Sequence, residues 1–514
     1  MNKILLAFIF ASFIFVHTSC DQKINPHPAL IPLPLDVEMM PGQFKLDTNS
    51  KVYFTNSSDN SEIEDMQSRL QNFISKQLIE HTQVEYGSGT PMFFTKHINL
   101  VLEEDQEFDH DEAYELEIKN TKIKIRSSSE TGLARGVQTL RQLCDLKSAD
   151  SQSIPNLKIS DKPKYEYRGT MLDISRHFFG PEIIKTHIDR IAQYKINHLH
   201  LHLSDDQGWR IEIKGWPKLT SIGAQTEVGG GEGGFLTQEE YMDIVDYAKL
   251  NYITIVPEID MPGHTNAALA SYAFLNCDNT LRELYTGTNV GFSTFCTRKD
   301  STYIFIDQVI EELTAMTPGP YIHIGGDESD VTEKEDYKYF VKRVEGIVQK
   351  HGKQMMGWAD IADANLDSTS VAQLWHSEEN GKKAQSQNMK IVFSLASRSY
   401  LDMKYDSTTE LGLQWAGLIE VDHAYDWQPD TLFESINAES IIGIECPLWT
   451  ETVVVEDDIE YLVFPRLLAY AEIGWTQSDR RVTKEFLERL AKQSRIMKSQ
   501  DINFYQSSKV NWED

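Results

Sequence analysis

The chain has 514 residues, 40 % of them apolar, and a formal net charge of −29 from 49 basic and 78 acidic side chains. Two or three domains with ordinary cores are the expectation for this length and composition. The acidic balance argues against nucleic acid as a partner, whose affinity rests on Lys and Arg against phosphate, and it disfavours polyanionic substrates.

Residues 1–19 read as a signal peptide and not as fold. Lys3 supplies the positive start, Ile4 to Val16 is an apolar run, and His17-Thr18-Ser19-Cys20 follows. The small residue before Cys20 resembles a bacterial lipoprotein cleavage site, so Cys20 is the expected lipidated N-terminus. His17 stands where an aliphatic residue is usual, which leaves plain secretion as the alternative. Either way the protein is expected outside the cytoplasm, in the periplasm or on the outer membrane of a bacterium, touching a membrane only through its lipid. No later stretch holds the ~18 consecutive apolar residues of a spanning helix.

Residues 20–160 read as a small α+β domain. Short strands are expected at Lys51–Phe54, at Ile98–Leu102, and at Tyr114–Ile118 and Lys122–Arg126, the last two turning at Lys119-Asn120-Thr121. Helical spacing runs over 61–80 and 130–146, where Leu133, Val137, Leu140 and Leu143 recur. No cluster of reactive groups stands out here.

Over 161–514 the pattern becomes strand, loop, helix. Strands are expected at Arg168–Ile174, His198–Ser204, Ile253–Asp260, Tyr321–Asp327, Gln354–Ala359, Val371–His376, Ile391–Ala396 and Cys446–Glu451. Helices are expected at 181–194, 238–250, 303–315, 335–350 and 458–474. Eight strands over this span predict an α/β fold, a (β/α)8 TIM barrel, irregular between strands five and eight where helical pattern is thin. A doubly wound open sheet is the alternative, but the first strand runs into Ser-Arg-His-Phe-Phe-Gly-Pro and not a Gly-rich phosphate turn. Cys277 and Cys296 flank a stretch rich in Asn, Thr and Gly and are the expected disulfide. Cys144 and Cys446 lie in apolar runs and read as buried thiols.

Reactive residues of such barrels gather at the C-terminal ends of the strands. Here those ends carry Asp173 and Arg176, Asp205 to Arg210, Glu258 to His264, Asp327-Glu328, Trp358, Trp375, Tyr400 with Asp402, and Trp449 to Glu451. Carboxylates, one Arg, one His and three Trp around one pocket suit a sugar, with polar groups for hydroxyls and aromatic faces for the apolar side of the ring. Glycosidic cleavage needs an acid and a stabilised cation. Glu328 is the candidate acid, and like-charge repulsion from Asp327 is expected to raise its pKa.

The runs Tyr167–Phe178, His200–Arg210, Pro257–His264, His323–Glu328 and Leu448–Glu451 together resemble the β-N-acetylhexosaminidases of glycoside hydrolase family 20. The resemblance implies an exo-acting enzyme on N-acetylhexosamine-containing glycans, without cofactor or metal, in which the substrate's own 2-acetamido oxygen attacks and an oxazolinium ion forms with retention. It implies Glu328 as acid and base, Asp327 on the acetamido N–H, and Tyr400 on the acetamido oxygen. Trp358, Trp375 and Trp449 would wall the pocket. Arg176, Asp402 and Glu451 would take ring hydroxyls, with Asp205, Asp260 and His264 supporting Glu328. Two rivals carry different expectations. His198, His200 and His202 share one strand face and could ligate zinc in a metal-dependent barrel hydrolase. A non-catalytic sugar-binding lipoprotein would keep the aromatic box and lose the acid.

Overall fold

The computed structural model describes residues 28–47, 49–56, 62–79, 84–87, 95–103, 108–144 and 152–513; the expected signal peptide 1–19 and Cys20 lie outside these. Alternation builds the first layer. Tyr114, Leu116 and Ile118 of β5 (Tyr114–Lys119) and Ile123 and Ile125 of β6 (Lys122–Ser127) are buried, while their neighbours face outward. The two strands pair antiparallel through Lys119 opposite Lys122. Together with β1 (Asp36–Leu46), β2 (Lys51–Asn56), β3 (Glu85–Tyr86), β4 (His97–Leu102) and β7 (Gln152–Asp161) they form one sheet in the order β1-β7-β5-β6-β4-β2-β3. Helices Glu62–Ile74 and Glu130–Leu143 belong to the same layer, the second capped by Ser129, whose hydroxyl accepts from the Gly132 N–H at 2.9 Å.

The second unit is a closed parallel barrel of eight strands: β8 (Tyr167–Asp173), β9 (His198–His202), β10 (Thr254–Glu258), β11 (Tyr321–His323), β12 (Gln354–Trp358), β13 (Val371–Leu374), β14 (Lys390–Phe393) and β15 (Ile441–Leu448). The expected (β/α)8 class is therefore present. Several bounds change, and the last strand runs Ile441–Leu448 and not Cys446–Glu451. Strand β11 stops at His323 and not at Asp327, because Gly325 and Gly326 take left-handed backbone, φ 65° and 96°. The helix expected over 458–474 is two, Glu456–Val463 and Arg466–Trp475, divided at Phe464-Pro465, where proline lacks the N–H a helix needs. The expected irregularity appears as a short 3-10 turn, Ala359–Asp363, after β12, and three helices of four or five residues between β14 and β15. Among the described residues no helix is long and apolar enough to cross a membrane.

Buried ion pairs join the sheet to the base of the barrel. Glu112 accepts from Arg135 at 2.6 Å and from Arg168 on β8 at 2.5 Å. Asp161 accepts from Lys195 at 2.9 Å and from the Trp475 indole at 2.9 Å. Burial alone would raise the Glu112 carboxyl, but Arg168 and Arg135 overcome it and bring it down to about 2. Removing one partner of a buried pair strands the other charge. Glu112→Ala is therefore expected to lower unfolding free energy by roughly 3–5 kcal/mol in urea titration. Because the folded carboxyl lies below its unfolded value, the stabilisation from Glu112 is complete above about pH 4.5 and is lost as pH falls toward 2. The variant should show a correspondingly shallower acid dependence.

Candidate active site

Backbone turns at the strand ends set the site. After β8, Asp173 accepts from the Ser175 N–H at 2.7 Å and the Arg176 N–H at 3.1 Å, and from the Thr450 N–H at 3.2 Å. That one carboxylate folds the β8 loop against the β15 loop and points Arg176 inward. After β11, a Cβ on Gly325 would lie 1.8 Å from Asp260 Oδ1, and Asp260 accepts the Gly326 N–H at 3.1 Å. The bare backbone thus lets Asp260 pass beneath it and delivers Asp327 and Glu328 at the barrel mouth, Glu328 with φ 45°.

A cavity of about 460 Å³ opens there, lined among others by Arg176, Asp327, Glu328, Trp375, Tyr400 and Trp449. Asp402 and Glu451 complete one side. Both carboxylate oxygens of Asp402, Oε2 of Glu451 and Oδ1 of Asp327 are buried without a protein partner. Such groups are costly unless something donates to them, so this is where a ligand's hydroxyl or amide hydrogens fit. Burial pushes the Asp402 carboxyl well above the carboxylate range, and Glu451 adds to it by repulsion. Burial raises Glu451 too, with Arg176 pulling the other way.

His264 sits between carboxylates. Its Nδ1 is 3.3 Å from Asp205 Oδ1, and its Nε2 is 3.4 Å from Glu328 Oε2 and 3.8 Å from Asp327 Oδ2. Burial opposes charge on the ring, but Asp205 and Asp260 overcome that and hold its pKa well above the usual value. The ring is thus set between Asp205 on one side and the two neighbouring carboxyls on the other. Asp327 is pushed up to about 7: burial, at 8 % exposure, dominates, His264 counteracts, and Glu328 adds repulsion.

Most expected residues converge on this cavity. Arg176 donates to Asp205 at 2.8 Å and to Asp173 at 3.3 Å, and lies 4.7 Å over the Trp449 ring. The Trp375 indole donates to Asp360 at 2.8 Å. Trp358 departs from its expected place on the wall. It is fully buried, donates its indole N–H to Glu258 at 3.1 Å, and packs 5.6 Å from Trp449. The aromatic residue missed is Trp415, 59 % exposed, which lines the cavity 5.9 Å from Tyr400 and 6.4 Å from Trp375, and the lining residues Leu413 and Thr452 were missed with it. Trp415 belongs to a long irregular loop with no strand end to mark it. Cys277 and Cys296 form a disulfide that closes a loop contributing Thr288 and Val290 to the lining, while Cys144 and Cys446 are buried.

The three alternating histidines do not converge on one point. His198 stacks on Tyr167 at 4.0 Å, near the base of the barrel. His200 lies between Glu445 and Glu258, and His202 between Glu258 and Asp205. Among the described residues, clusters whose ligand atoms lie within 4.8 Å include His200, Glu258 and His323, and His264, Asp327 and Glu328; of these two only the second faces the cavity.

Comparison with known proteins agrees with this geometry. The family model for glycosyl hydrolase family 20, catalytic domain, matches residues 165–478, and that for domain 2 of the same family matches residues 27–162. The chain belongs to glycosyl hydrolase family 20. A β-N-acetylhexosaminidase of Cellulomonas fimi is 40 % identical over 405 residues, 78 % of this chain and 82 % of that one. The solved family 20 β-N-acetylhexosaminidase of Streptomyces coelicolor A3(2) superposes with a TM-score of 0.89 at 40 % identity, covering 94 % of this chain and 99 % of its own. A mutant Streptomyces plicatus β-hexosaminidase, solved in complex with product GlcNAc, gives 0.89 at 41 %, covering 94 % and 98 %. This family 20 chain is accordingly a glycoside hydrolase of the β-N-acetylhexosaminidase type.

Gly325 tests the local logic of the site. Gly325→Ala combines left-handed backbone with a clash on Asp260. It is expected to cost roughly 1–3 kcal/mol in urea unfolding and to lower turnover of a chromogenic N-acetylhexosaminide in the molecules that remain folded.

Proposed function

We propose that this hydrolase releases terminal non-reducing N-acetylhexosamine, GlcNAc or GalNAc, with retention of configuration, using the substrate's 2-acetamido oxygen as nucleophile. The observation that carries the reading is the environment of Asp327. Its carboxylate is buried, keeps one oxygen without a protein partner, faces the cavity, and lies beside the His264 ring. A group so enclosed is suited to accept the acetamido N–H and to stabilise the positive charge that grows on that group as the oxazolinium forms. Tyr400, in the same lining, donates its hydroxyl to the acetamido oxygen. Trp375 and Trp449 press the acetamido arm toward the anomeric carbon, with Trp358 supporting Trp449 from behind.

Glu328 has the exposure and reach that an acid needs. It protonates the leaving oxygen, then takes a proton from the water that opens the oxazolinium. His264, held by Asp205, orients it, and Asp260 fixes the turn that carries it. Arg176, Asp402 and Glu451 take ring hydroxyls 3, 4 and 6, the last two through the oxygens that lack protein donors. The GlcNAc held as product by the Streptomyces plicatus relative supports this substrate class. Export, with Cys20 as the lipidated N-terminus, belongs to the same proposal and rests on the sequence of the first twenty residues. Labelled fatty acid should enter the wild-type chain in a bacterial host and not Cys20→Ala; no incorporation into either favours plain secretion.

The decisive test is stereochemical. Proton NMR of the first-formed sugar should show the β-anomer of N-acetylhexosamine, and the α-anomer would overturn the proposal. A glucoside without the 2-acetamido group should be hydrolysed very poorly. Glu328→Gln should lower kcat by on the order of 10²–10⁴-fold on substrates with poor leaving groups. Asp327→Asn should be comparably severe in the chemical step, and a rate within a few-fold of wild type would remove the substrate-assisted assignment.

A further inference from the structure

The interior of a parallel barrel is usually filled by branched apolar side chains. In this one an apolar layer near the base, with Val256, Met356, Val371 and Val392, gives way toward the mouth to charge. Glu445 on β15 accepts from His200 Nδ1 at 2.9 Å, and His200 Nε2 lies 2.9 Å from Glu258 Oε2. His202 Nδ1 lies 2.5 Å from the same Glu258 oxygen, and its Nε2 is 2.8 Å from Asp205. Asp205 meets His264, and His264 meets Glu328. All but Glu328 are buried. The order along the barrel axis is carboxylate, imidazole, carboxylate, imidazole, carboxylate, imidazole, carboxyl.

We propose that Glu258 is a positioning residue for the hydrolytic reaction, acting through His202 to fix Asp205, the carboxylate that orients both Arg176 and His264.

Hydrogen-bond chemistry carries the argument. A neutral imidazole has one donor nitrogen and one acceptor. His202 presents both nitrogens to carboxylates, so a neutral ring would set a lone pair against one of them. With both carboxyls ionised, only the doubly protonated ring satisfies Glu258 and Asp205 together. The charges facing His202 are Glu258 and Asp260 from β10 and its end, Asp205 from its own loop, and Asp173 and Arg176 from β8 and its loop, with Arg176 Nη1 at 3.4 Å. Those facing Glu258 are His200 and His202 from β9, His323 from β11 and Asp260, with the neutral Trp358 indole from β12. Burial pushes His202 toward neutrality, yet Glu258 and Asp205 hold its pKa well above the usual value. His200, opposed by burial but held by Glu445 and Glu258, comes up to about 9. Buried charge is expensive unless fully paired. Glu258 accepts from His202 Nδ1 and from the Trp358 indole, lies 2.9 Å from His200 Nε2 and from His323 Nδ1, and is no part of the cavity lining. Its contacts reach the site on two sides, through His202 and Asp205 to the cations, and through Trp358 to the Trp449 floor.

The inference rests on the hydrolytic reading above, and two readouts separate their fates. In wild-type protein, low-field proton NMR should show both N–H protons of His202 hydrogen-bonded and unchanged from about pH 5 to about 8, the window in which an unperturbed imidazole titrates. A His202 that titrates there overturns the proposal whatever the turnover. Glu258→Gln keeps shape and removes the charge. With folding verified by circular dichroism, kcat is expected to fall roughly 10–100-fold, KM to rise because Asp205 also holds the substrate-binding Arg176, and the pH profile of kcat/KM to shift. Glu445→Gln, equally buried but two links further from Asp205, should lose several-fold less in kcat. Wild-type kcat and pH profile in folded Glu258→Gln, or equal losses in both variants, would overturn the assignment. If Glu258→Gln does not fold, the NMR measurement on the wild-type chain decides.

Discussion

Asp205 pairs with three basic side chains that arrive from different parts of the chain: His202 at the end of β9, Arg176 from the loop after β8, and His264 from the loop after β10. A charge on any of them would be costly alone in this buried place, and each is stabilised by the same carboxylate. Arg176 is thereby aimed at the cavity and the His264 ring is held against Asp327 and Glu328. Cation against carboxylate is what keeps an otherwise repulsive group of acids in one pocket. Asp402 and Glu451 lack such a partner and are left with oxygens that a bound hydroxyl can satisfy.

The fold supplies the conditions for that arrangement. Parallel strands bring their C-terminal ends to one mouth, so loops far apart in sequence converge. The turn after β11 needs glycine at 325 because Asp260 runs directly under it, and at 326 because the backbone is left-handed and Ile361 lies against it. The missing side chains there are as much a part of the site as the carboxylates they admit. At the other end of the barrel, Glu112 and Asp161 of the first unit neutralise Arg168, Arg135 and Lys195, so that the base of the barrel is closed by ion pairs with the sheet.

A polar barrel interior carries a cost in stability relative to a packed apolar one. Here the cost falls on one axis, from Glu445 to Asp205, directly beneath the aromatic floor of the cavity. The apolar core remains outside the barrel, between strands and helices, where Leu199 and Leu201 of β9 alternate with His200 and His202. The period-two pattern of a strand thus divides two tasks between its faces, packing outward and charge pairing inward.

The sequence by itself determined the class of fold, the order of the barrel strands and the charged side chains of the pocket, but not Thr288, Val290, Leu413 or Thr452 of its lining. Reactive residues follow apolar strands at each loop, and such placement is local information, legible as residues such as Asp327-Glu328 after Gly325-Gly326. It did not reveal β1, whose face is largely exposed and whose path is broken by Pro41-Gly42, nor Trp415, which sits in an irregular loop. That Asp327 is raised was decided only by the tertiary structure, because its burial and its neighbours His264, Glu258 and Asp360 come from other strand ends. The same holds for Trp358, read as a wall and found behind one, and for His198, His200 and His202. Spacing put those three on one face, but only the strands that close around them settle whether such a face meets metal, carboxylate or an aromatic ring. Local pattern fixes which way a side chain points; what it meets there depends on chain folded from elsewhere.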